Sequence, residues 1–421
     1  MGRARLSALG EAFYVLAFLG AHIAFMPFLV LLLPRRIAAI TPAGDGAHLL
    51  SILVLVGGIT ASLANIAAGH FSDKAMARTG NRRRTMAGGL ACLAACYAVL
   101  SVSYSPVVLT IGVIAFQISV NLLFAPIGAL LADYTPDHRK GRMAGFLSCG
   151  LPAANGMVGL IAWVTPVDGA GGFALTAALI IACVMPLLVA WPFAAASPAQ
   201  RNGQPKQGPM IEPALPIGNI VRAWGARFLL QLGATLLTNY LYPYITFLLR
   251  RPMASTGWTA DAVVGWLSLS AGIAACCCAV GMGSLSDRLA ERRKLLIASA
   301  LSTALALIGL AVAPNWSIVT ASYVLFHLSL AAFFAVESAF SAEMVALSST
   351  RGRLLGYMNL ANTLPAILTA ILALQTSRQT VLGAAMPLVL LVCALACVIA
   401  AVLCAAMRVH QGERLPIRAR N

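Results

Sequence analysis

Long runs of apolar residues without a charged side chain are the feature that most constrains this sequence. Two of the clearest extend from Phe13 to Leu33 and from Ala384 to Met407. An α-helix needs about 20 apolar residues to cross the hydrocarbon core of a bilayer, which is about 30 Å thick. Membrane β-strands would instead appear as alternating segments of about ten residues. The runs therefore predict an all-α membrane protein built as a bundle of spanning helices.

The low content of charged residues excludes a soluble protein of this size. Only 10% of the 421 residues are charged, whereas soluble domains have about 25%. The sequence also lacks a phosphate-binding loop, a Gly-x-Ser-x-Gly motif and histidines at metal-ligand spacing. We therefore expect no enzyme activity, no cofactor, no metal site and no ATP-driven pumping.

Twelve membrane-spanning helices account for the apolar runs, because the charged residues concentrate in the gaps between them. Their boundaries are predicted to within a few residues. The predicted spans are roughly residues 12–33, 48–68, 86–104, 106–131, 143–164, 172–194, 226–249, 262–282, 295–313, 316–341, 354–375 and 381–407.

The distribution of basic residues predicts how the bundle is oriented. If both termini are cytoplasmic, 24 of the 29 lysines and arginines lie on the cytoplasmic side. The outer loops then hold only Arg35, Arg36, Arg250, Arg251 and Arg378. Basic residues accumulate on the cytoplasmic side of membrane proteins. We therefore expect a multi-pass protein of the bacterial inner (plasma) membrane, and the net charge of +16 indicates topology and the lipid bilayer rather than nucleic acid as a partner.

A polar segment divides the chain into two halves. The segment at 195–225 is rich in Pro, Gln, Gly and Ser and lies between predicted helices 6 and 7. We expect a six-helix bundle over 1–194, a cytoplasmic linker over 195–225, a second six-helix bundle over 226–407 and a cytoplasmic tail over 408–421.

The two halves repeat. Three sets of residues recur in order at offsets of about 211 to 215. They are Gly69–Lys74 with Gly283–Arg288, Asp133 and Gly141–Phe146 with Glu343 and Gly352–Tyr357, and Pro27 and Arg35–Arg36 with Pro243 and Arg250–Arg251. An internal repeat of this kind predicts two pseudo-symmetric bundles related by an axis along the membrane normal.

These motifs resemble those of the major facilitator superfamily over essentially the whole chain. The family's signature between helices 2 and 3 is Gly-x-x-x-Asp-Arg/Lys followed by Gly and a basic run. Here it consists of Gly69, Asp73, Lys74, Gly80 and Arg82–Arg84. The second Gly follows the Asp by seven residues, a spacing similar to that of the glycoside and sucrose cation symporter branches. Helix 2 lacks the acids of the sodium-linked glycoside symporters. The resemblance implies the major facilitator fold and transport by alternating access.

The repeated motif residues are candidates for a gate on the cytoplasmic side. Acids near helix ends can attract helix N-termini, and the arginines that begin helices 5 and 11 can pair with acids that end helices 4 and 10. Static salt bridges or topogenic charges are the structural alternative. The gating candidates are Gly69, Asp73, Lys74, Arg82, Asp133, Arg142, Gly283, Asp287, Arg288, Glu343 and Arg353.

Three ionisable residues lie inside predicted spans, where such groups are costly and indicate function. They are Glu337, His22 and His327. Glu337 follows the apolar residues 333–336 and could exchange a proton during the cycle. The alternative is a hydrogen-bonded neutral Glu and two histidines that are satisfied within the core. We expect positive charge to be scarce at the midplane, because Arg35, Arg36 and their repeats fall at the outer mouth, and this disfavours an anionic solute.

Polar residues on one face of predicted helix 7 indicate a solute path. On helix 7 they recur at i, i+4, i+8 and i+11, and shorter sets occur on helices 4 and 11. Hydrogen bonds between helices are the alternative explanation. The candidates are Gln231, Thr235, Asn239 and Tyr242 on helix 7, Gln117 and Asn121 on helix 4, and Asn359 and Asn362 on helix 11.

Together these features predict a secondary active transporter that acts as a monomer. We expect a small polar solute, sugar-like in chemistry, carried by symport with protons and driven by a proton gradient. Two alternatives remain open at this point. One is a proton-driven exporter or permease of drugs, peptides, siderophores or metabolites, and the other is a receptor or assembly factor that does not transport.

Overall fold

The computed structural model describes twelve helices. The described residues are 8–42, 45–135, 143, 145–165, 170–191, 217–250, 257–289, 291–345, 351–375 and 379–407, and they contain no strand. We number the helices α1 to α12. α1 consists of Ala8–Pro27, a π-helical turn at Phe28–Leu32 and Leu33–Ile40, and the others are Gly46–Thr79, Arg83–Ser101, Pro106–Tyr134, Gly150–Val164, Gly171–Ala190, Ile217–Leu248, Ala260–Leu289, Arg292–Val312, Trp316–Val345, Arg351–Gln375 and Gln379–Ala405.

The prediction of twelve helices is confirmed, and ten of the described helices are long and apolar enough to cross a membrane. α7 is not among the ten, because polar side chains interrupt its apolar run, and the apolar stretch of α11 is shorter, at Leu360–Leu374. The chain is therefore an integral, multi-pass membrane protein. Most of the predicted linker and all of the predicted tail lie outside the described residues.

α1 is longer than predicted, and this corrects the expected position of two arginines. The helix does not end near Leu33 but continues through the buried π-helical turn to Ile40. Arg35 and Arg36, predicted in an outer loop, are therefore on the helix and buried. The helix can continue because both guanidinium groups find partners inside the protein, described below.

α7 begins at Ile217, nine residues before the predicted start of this span. Arg227, which the charge count assigned to the cytoplasmic end, is therefore in the third turn of a 32-residue helix. The first turns of α7 were assigned to the polar linker, because an amphipathic helical turn and a loop have similar composition. The consequence is a cation well inside the bundle, which the sequence analysis did not expect.

The helix pairings repeat between the two halves. In the N-terminal half, α1 packs on α5 and α6, α4 packs on α2 and α3, and α3 packs on α6. In the C-terminal half, α7 packs on α11 and α12, α10 packs on α8 and α9, and α9 packs on α12. Adding six to each helix number converts the first set into the second. The structure is thus two equivalent six-helix bundles.

The main contacts between the halves are α2 with α11 and α5 with α8, which the same operation exchanges. We call the end of the bundle where α1 begins and where α2 meets α3 the motif end, and the opposite end the far end. Along the far-end part of the interface, α5 and α8 touch through glycines. A Cβ on Gly272 would lie 2.6 Å from Cα of Gly156 and 2.8 Å from the carbonyl oxygen of Pro152. These backbones can approach closely only because side chains are absent.

We expect Gly272→Ala to lower the thermal stability of the detergent-solubilised protein. The added methyl group meets backbone atoms of α5, which cannot rotate away, and overpacking of this kind costs about 1–3 kcal/mol. Gly88→Ala is the matched control, because an added Cβ there meets nothing within 4 Å and Ala is the better helix former. An unfolding temperature of Gly272→Ala equal to that of Gly88→Ala would contradict the close contact between the halves.

Candidate functional site

A polar face runs along α7 through the interior of the protein. Arg227, Gln231, Thr235, Asn239 and Tyr242 follow one another at spacings of three or four residues, so their side chains share one side of the helix. The structure confirms that all five belong to a single continuous helix. An otherwise apolar helix therefore carries a polar stripe along most of its length. The stripe faces other helices or an interior space.

The far-end residues of α7 use their polar groups to bind neighbouring helices. The hydroxyl of Tyr240 donates to Ser51 Oγ of α2 at 3.1 Å, and that of Tyr242 donates to Asp261 Oδ2 of α8 at 3.4 Å. Thr246 donates within α7, to the carbonyl oxygen of Tyr242 at 2.9 Å. The two tyrosine contacts are hydrogen bonds between helices, which was the alternative to a solute path for the polar residues of this helix.

The middle residues of the stripe differ from those at its far end. Within the described part of the chain, Gln231, Thr235, Thr238 and Asn239 have no hydrogen-bond partner for their side chains, although Thr235 is 8% and Asn239 only 4% exposed. Buried amides and hydroxyls are normally paired. Their polar atoms are also absent from the fully buried unpartnered set, so they border an accessible space. Their amides and hydroxyls can donate and accept hydrogen bonds in that space.

A buried ion pair lies at the motif-end limit of the stripe. Arg227 Nη1 of α7 donates to Glu337 Oε2 of α10, and Arg227 Nε donates to Asn362 Oδ1 of α11 at 2.9 Å. The guanidinium carbon also lies 5.1 Å from the ring centroid of Phe334. The Glu337 side chain is 1% exposed and that of Arg227 is 20% exposed. Glu337 and Asn362 were predicted from the sequence, whereas Arg227 was missed; its signal was its position four residues before Gln231.

The two predicted histidines are both in the bundle interior. Nδ1 of His22 donates to the carbonyl oxygen of Phe18 at 2.9 Å. His327 packs against Tyr323 and Phe326 with centroid distances of 4.6 and 5.3 Å, and its Nε2 is buried without a partner in the described residues. Neither histidine contacts the Arg227–Glu337 pair among the interactions described.

The amides predicted on α4 form a link to α2. Asn65 Nδ2 of α2 donates to Asn121 Oδ1 at 3.0 Å, and Asn121 Nδ2 donates to the carbonyl oxygen of Gln117 at 2.8 Å. Gln117 packs on Gly57 of α2, whose added Cβ would lie 3.3 Å from its Nε2. In this structure these residues join two helices of the same half.

A second buried ion pair joins the two halves at the far end. Arg35 Nε of α1 donates to Asp261 Oδ1 of α8, and Arg35 Nη1 donates to Thr165 Oγ1 at 3.2 Å. Tyr242 binds the other oxygen of Asp261. The Arg35 and Asp261 side chains are 6% and 9% exposed. Sequence reasoning missed Asp261, because an acid in the first turn of a helix is an ordinary feature and nothing marked its partner.

Arg36 is bound within the N-terminal half. Its Nη2 donates to the carbonyl oxygen of Ser101 at the end of α3, where the helix dipole is negative. Its guanidinium carbon lies 5.5 Å from the ring centroid of Phe173 and 5.6 Å from that of Tyr104. Arg36 therefore anchors α1 to its own bundle, whereas Arg35 binds the other one.

At the motif end, the acid of the α2–α3 motif binds its own loop. Arg82 Nη1 donates to Asp73 Oδ1 at 2.8 Å and to Ser72 Oγ at 2.6 Å. Gly80 ends α2 with a φ of 75°, a conformation that favours glycine. Lys74 is exposed. The motif holds a tight turn here, and its ion pair is partly in solvent.

Several predicted residues fall outside what the structure describes. Arg142, Arg251 and Arg378 lie outside the described residues. Seven further candidates lie in helices that the structure describes, but their side chains are not described. They are Asp133, Gly283, Asp287, Arg288, Glu343, Arg353 and Asn359.

We expect Asp261→Asn to lower the free energy of unfolding by about 3–5 kcal/mol, because it leaves the Arg35 guanidinium buried without a counter-charge. The double variant Arg35→Gln/Asp261→Asn should lose less than the sum of the two single variants. Lys294→Gln is the control, since its pair with Glu291 is exposed and should contribute below about 1 kcal/mol. Additive losses measured by denaturant unfolding would show that the pair is not energetically coupled.

The comparisons with known proteins agree with this architecture. The family model described as Major Facilitator Superfamily matches residues 223–420, and no curated protein matches the sequence. Among solved structures, the chain is similar to that of a point mutant of the nucleoside transporter NupG, with a TM-score of 0.68 and 14% identity over 94% of this chain and 99% of the other. The C-terminal half of the chain therefore matches the model of the Major Facilitator Superfamily, and the whole chain has the fold of the transporter to which it is similar.

Proposed function

We propose that the protein is a proton-coupled secondary active transporter of a small neutral solute with sugar-like polarity. One observation carries the proposal. The amides and hydroxyls of Gln231, Thr235 and Asn239 have no hydrogen-bond partners among the described residues. One helical turn before Gln231, the same face carries Arg227 of the buried Arg227–Glu337 pair. A solute-binding surface and a proton-accepting carboxylate thus lie on the same face of α7.

Groups of this type suit a neutral, hydroxyl-bearing solute. Amides and hydroxyls can each donate and accept hydrogen bonds, as the hydroxyls of a sugar do. The cation on this face is already neutralised by Glu337, which disfavours a strongly anionic solute. A nucleoside contains a sugar, so the similarity in fold to a nucleoside transporter supports including nucleosides among the solutes tested.

The buried ion pair supports proton coupling through its energetics. Removing one charge of a buried pair leaves the other uncompensated, at a cost of about 3–5 kcal/mol. Protonation of Glu337 removes the counter-charge of Arg227 and so carries this cost. A conformation that gives Arg227 another partner avoids the cost, and Glu337 therefore binds the proton more tightly in that conformation. By linkage, the proton then favours that conformation. Arg227 has two further neighbours, Asn362 and Phe334, which can hold it while the carboxylate is neutral.

Alternating access requires contacts between the halves that can form and break. Arg35–Asp261 is such a contact at the far end, whereas the Asp73–Arg82 pair at the motif end lies within one half. We place the motif end at the cytoplasmic face of a bacterial inner membrane, on the strength of its basic residues. The far end then faces outward, and its ion pair acts as the outer gate.

The test is uptake by proteoliposomes with an imposed pH gradient, over a panel of monosaccharides, disaccharides and nucleosides. The wild-type protein should accumulate at least one of these above equilibrium. Glu337→Gln should abolish accumulation and retain counterflow exchange, because the amide oxygen still accepts from Arg227 but the side chain does not titrate. Reversing the gradient separates import from export.

Glu291→Gln is the matched control, since Glu291 is exposed and pairs with Lys294 on the surface. It should transport as the wild type does. Accumulation by Glu337→Gln at the wild-type level would contradict proton coupling through this pair, and wild-type uptake that ignores the pH gradient would contradict proton coupling altogether.

A further inference from the structure

The two nitrogens of His22 have different roles. Nδ1 lies 2.9 Å from the carbonyl oxygen of Phe18, one turn earlier on α1. A carbonyl oxygen only accepts hydrogen bonds, so Nδ1 carries the proton. In the neutral ring, Nε2 is therefore a hydrogen-bond acceptor.

Apolar neighbours hold this ring in place. The ring centroid of His22 is 4.7 Å from that of Phe18, 5.6 Å from that of Phe25 and 5.1 Å from that of Phe124 on α4. On the α5 side, a Cβ at Gly150 would lie 3.0 Å from Nδ1, so the ring fits only beside a glycine. None of these contacts carries a charge or titrates, and they supply no counter-ion for an imidazolium.

Nε2 remains available on this fixed ring. His22 is 8% exposed. Within the described part of the chain, Nε2 has no hydrogen-bond partner, yet it is absent from the set of fully buried unpartnered atoms. Nε2 is therefore not fully enclosed, although the residue as a whole is buried. The rings of Phe18, Phe25 and Phe124 are each partly exposed, so apolar surface adjoins it.

The repeat places this acceptor at the level of the α7 stripe. The offset that relates Pro27 to Pro243 relates His22 to Thr238. α1 and α7 are in contact at the π-helical turn of α1. The acceptor in the N-terminal half and the unpartnered amides and hydroxyls in the C-terminal half are thus at equivalent depths in two neighbouring helices.

We propose that His22 Nε2 binds the transported solute as a hydrogen-bond acceptor, with the adjoining phenylalanine rings forming an apolar wall, so that the solute is a neutral ring compound with an O–H or N–H donor beside an apolar face. Pyranosides and nucleosides share this chemistry. Acyclic polyols lack the ring face, and the Nε2 lone pair repels a carboxylate. This assignment rests on the proposed function and makes His22 a specificity residue rather than a proton carrier.

The experiment measures counterflow exchange of methyl β-D-galactopyranoside and of uridine in proteoliposomes, for the wild type, His22→Phe and His22→Gln. His22→Phe keeps a ring among aromatic neighbours but removes the acceptor, and should raise KM by about 5- to 100-fold. His22→Gln keeps an acceptor and cannot titrate, and should retain both KM within about threefold and accumulation driven by the pH gradient. His48→Phe and His48→Gln, at an exposed position of α2, are the controls.

Deoxy analogues of the transported probe identify the paired donor. One monodeoxy analogue should bind about 5- to 100-fold more weakly to the wild type and no more weakly than its parent to His22→Phe. An unchanged KM in His22→Phe would overturn the proposal, as would loss of gradient-driven accumulation by His22→Gln at normal KM. Absence of wild-type exchange with either probe would instead count against the solute class of the proposed function.

Discussion

The contact between the two apolar six-helix bundles is the constraint on which the rest of the structure depends. Where α5 meets α8, few side chains are present to pack against one another. At the far end they meet through glycine backbones and through one buried ion pair, Arg35 with Asp261. Such a pair contributes little net stability compared with apolar packing, but it is costly to leave half-made. A contact of this kind has two arrangements of low free energy, one in which the charges are paired and one in which each is separately solvated. The arrangements between them are higher in free energy. That property suits a gate better than a permanent joint.

The second buried pair lies at the opposite end of the polar stripe of α7 and differs in what it joins. Arg227 and Glu337 belong to the same half, so their separation does not open an interface directly. In the proposed cycle, their effect acts through α7, which carries Arg227, the polar stripe and Tyr242. Tyr242 in turn binds Asp261. One helix therefore connects the proposed proton site, the solute groups and the far-end ion pair, which is a physical route for coupling between them.

The sequence predicted the fold well and the site only in part. Apolar runs and the repeat sufficed for twelve helices in two equivalent bundles, because helix length and hydrophobicity in a bilayer leave few choices. Glu337 and the α7 stripe were visible because polar groups are rare in such runs. Arg35, Arg227 and Asp261 were misplaced or missed, since each lies at or just beyond the end of a predicted span, where charge is ordinary. Only three-dimensional proximity shows that Arg35 pairs with Asp261, and Arg227 with Glu337, inside the protein.

The far end, closed in this structure, should be one of two states, and spin-label distances between the halves can distinguish them. Labels at Val102 and Val312, equivalent exposed positions at the far ends of α3 and α9, report the separation of the halves in lipid nanodiscs when the native cysteines are replaced. We expect two distance populations, of which the shorter matches this structure, and their ratio should change with pH and with a transported solute. A single distance, unchanged by pH and by every solute of the panel, would contradict it.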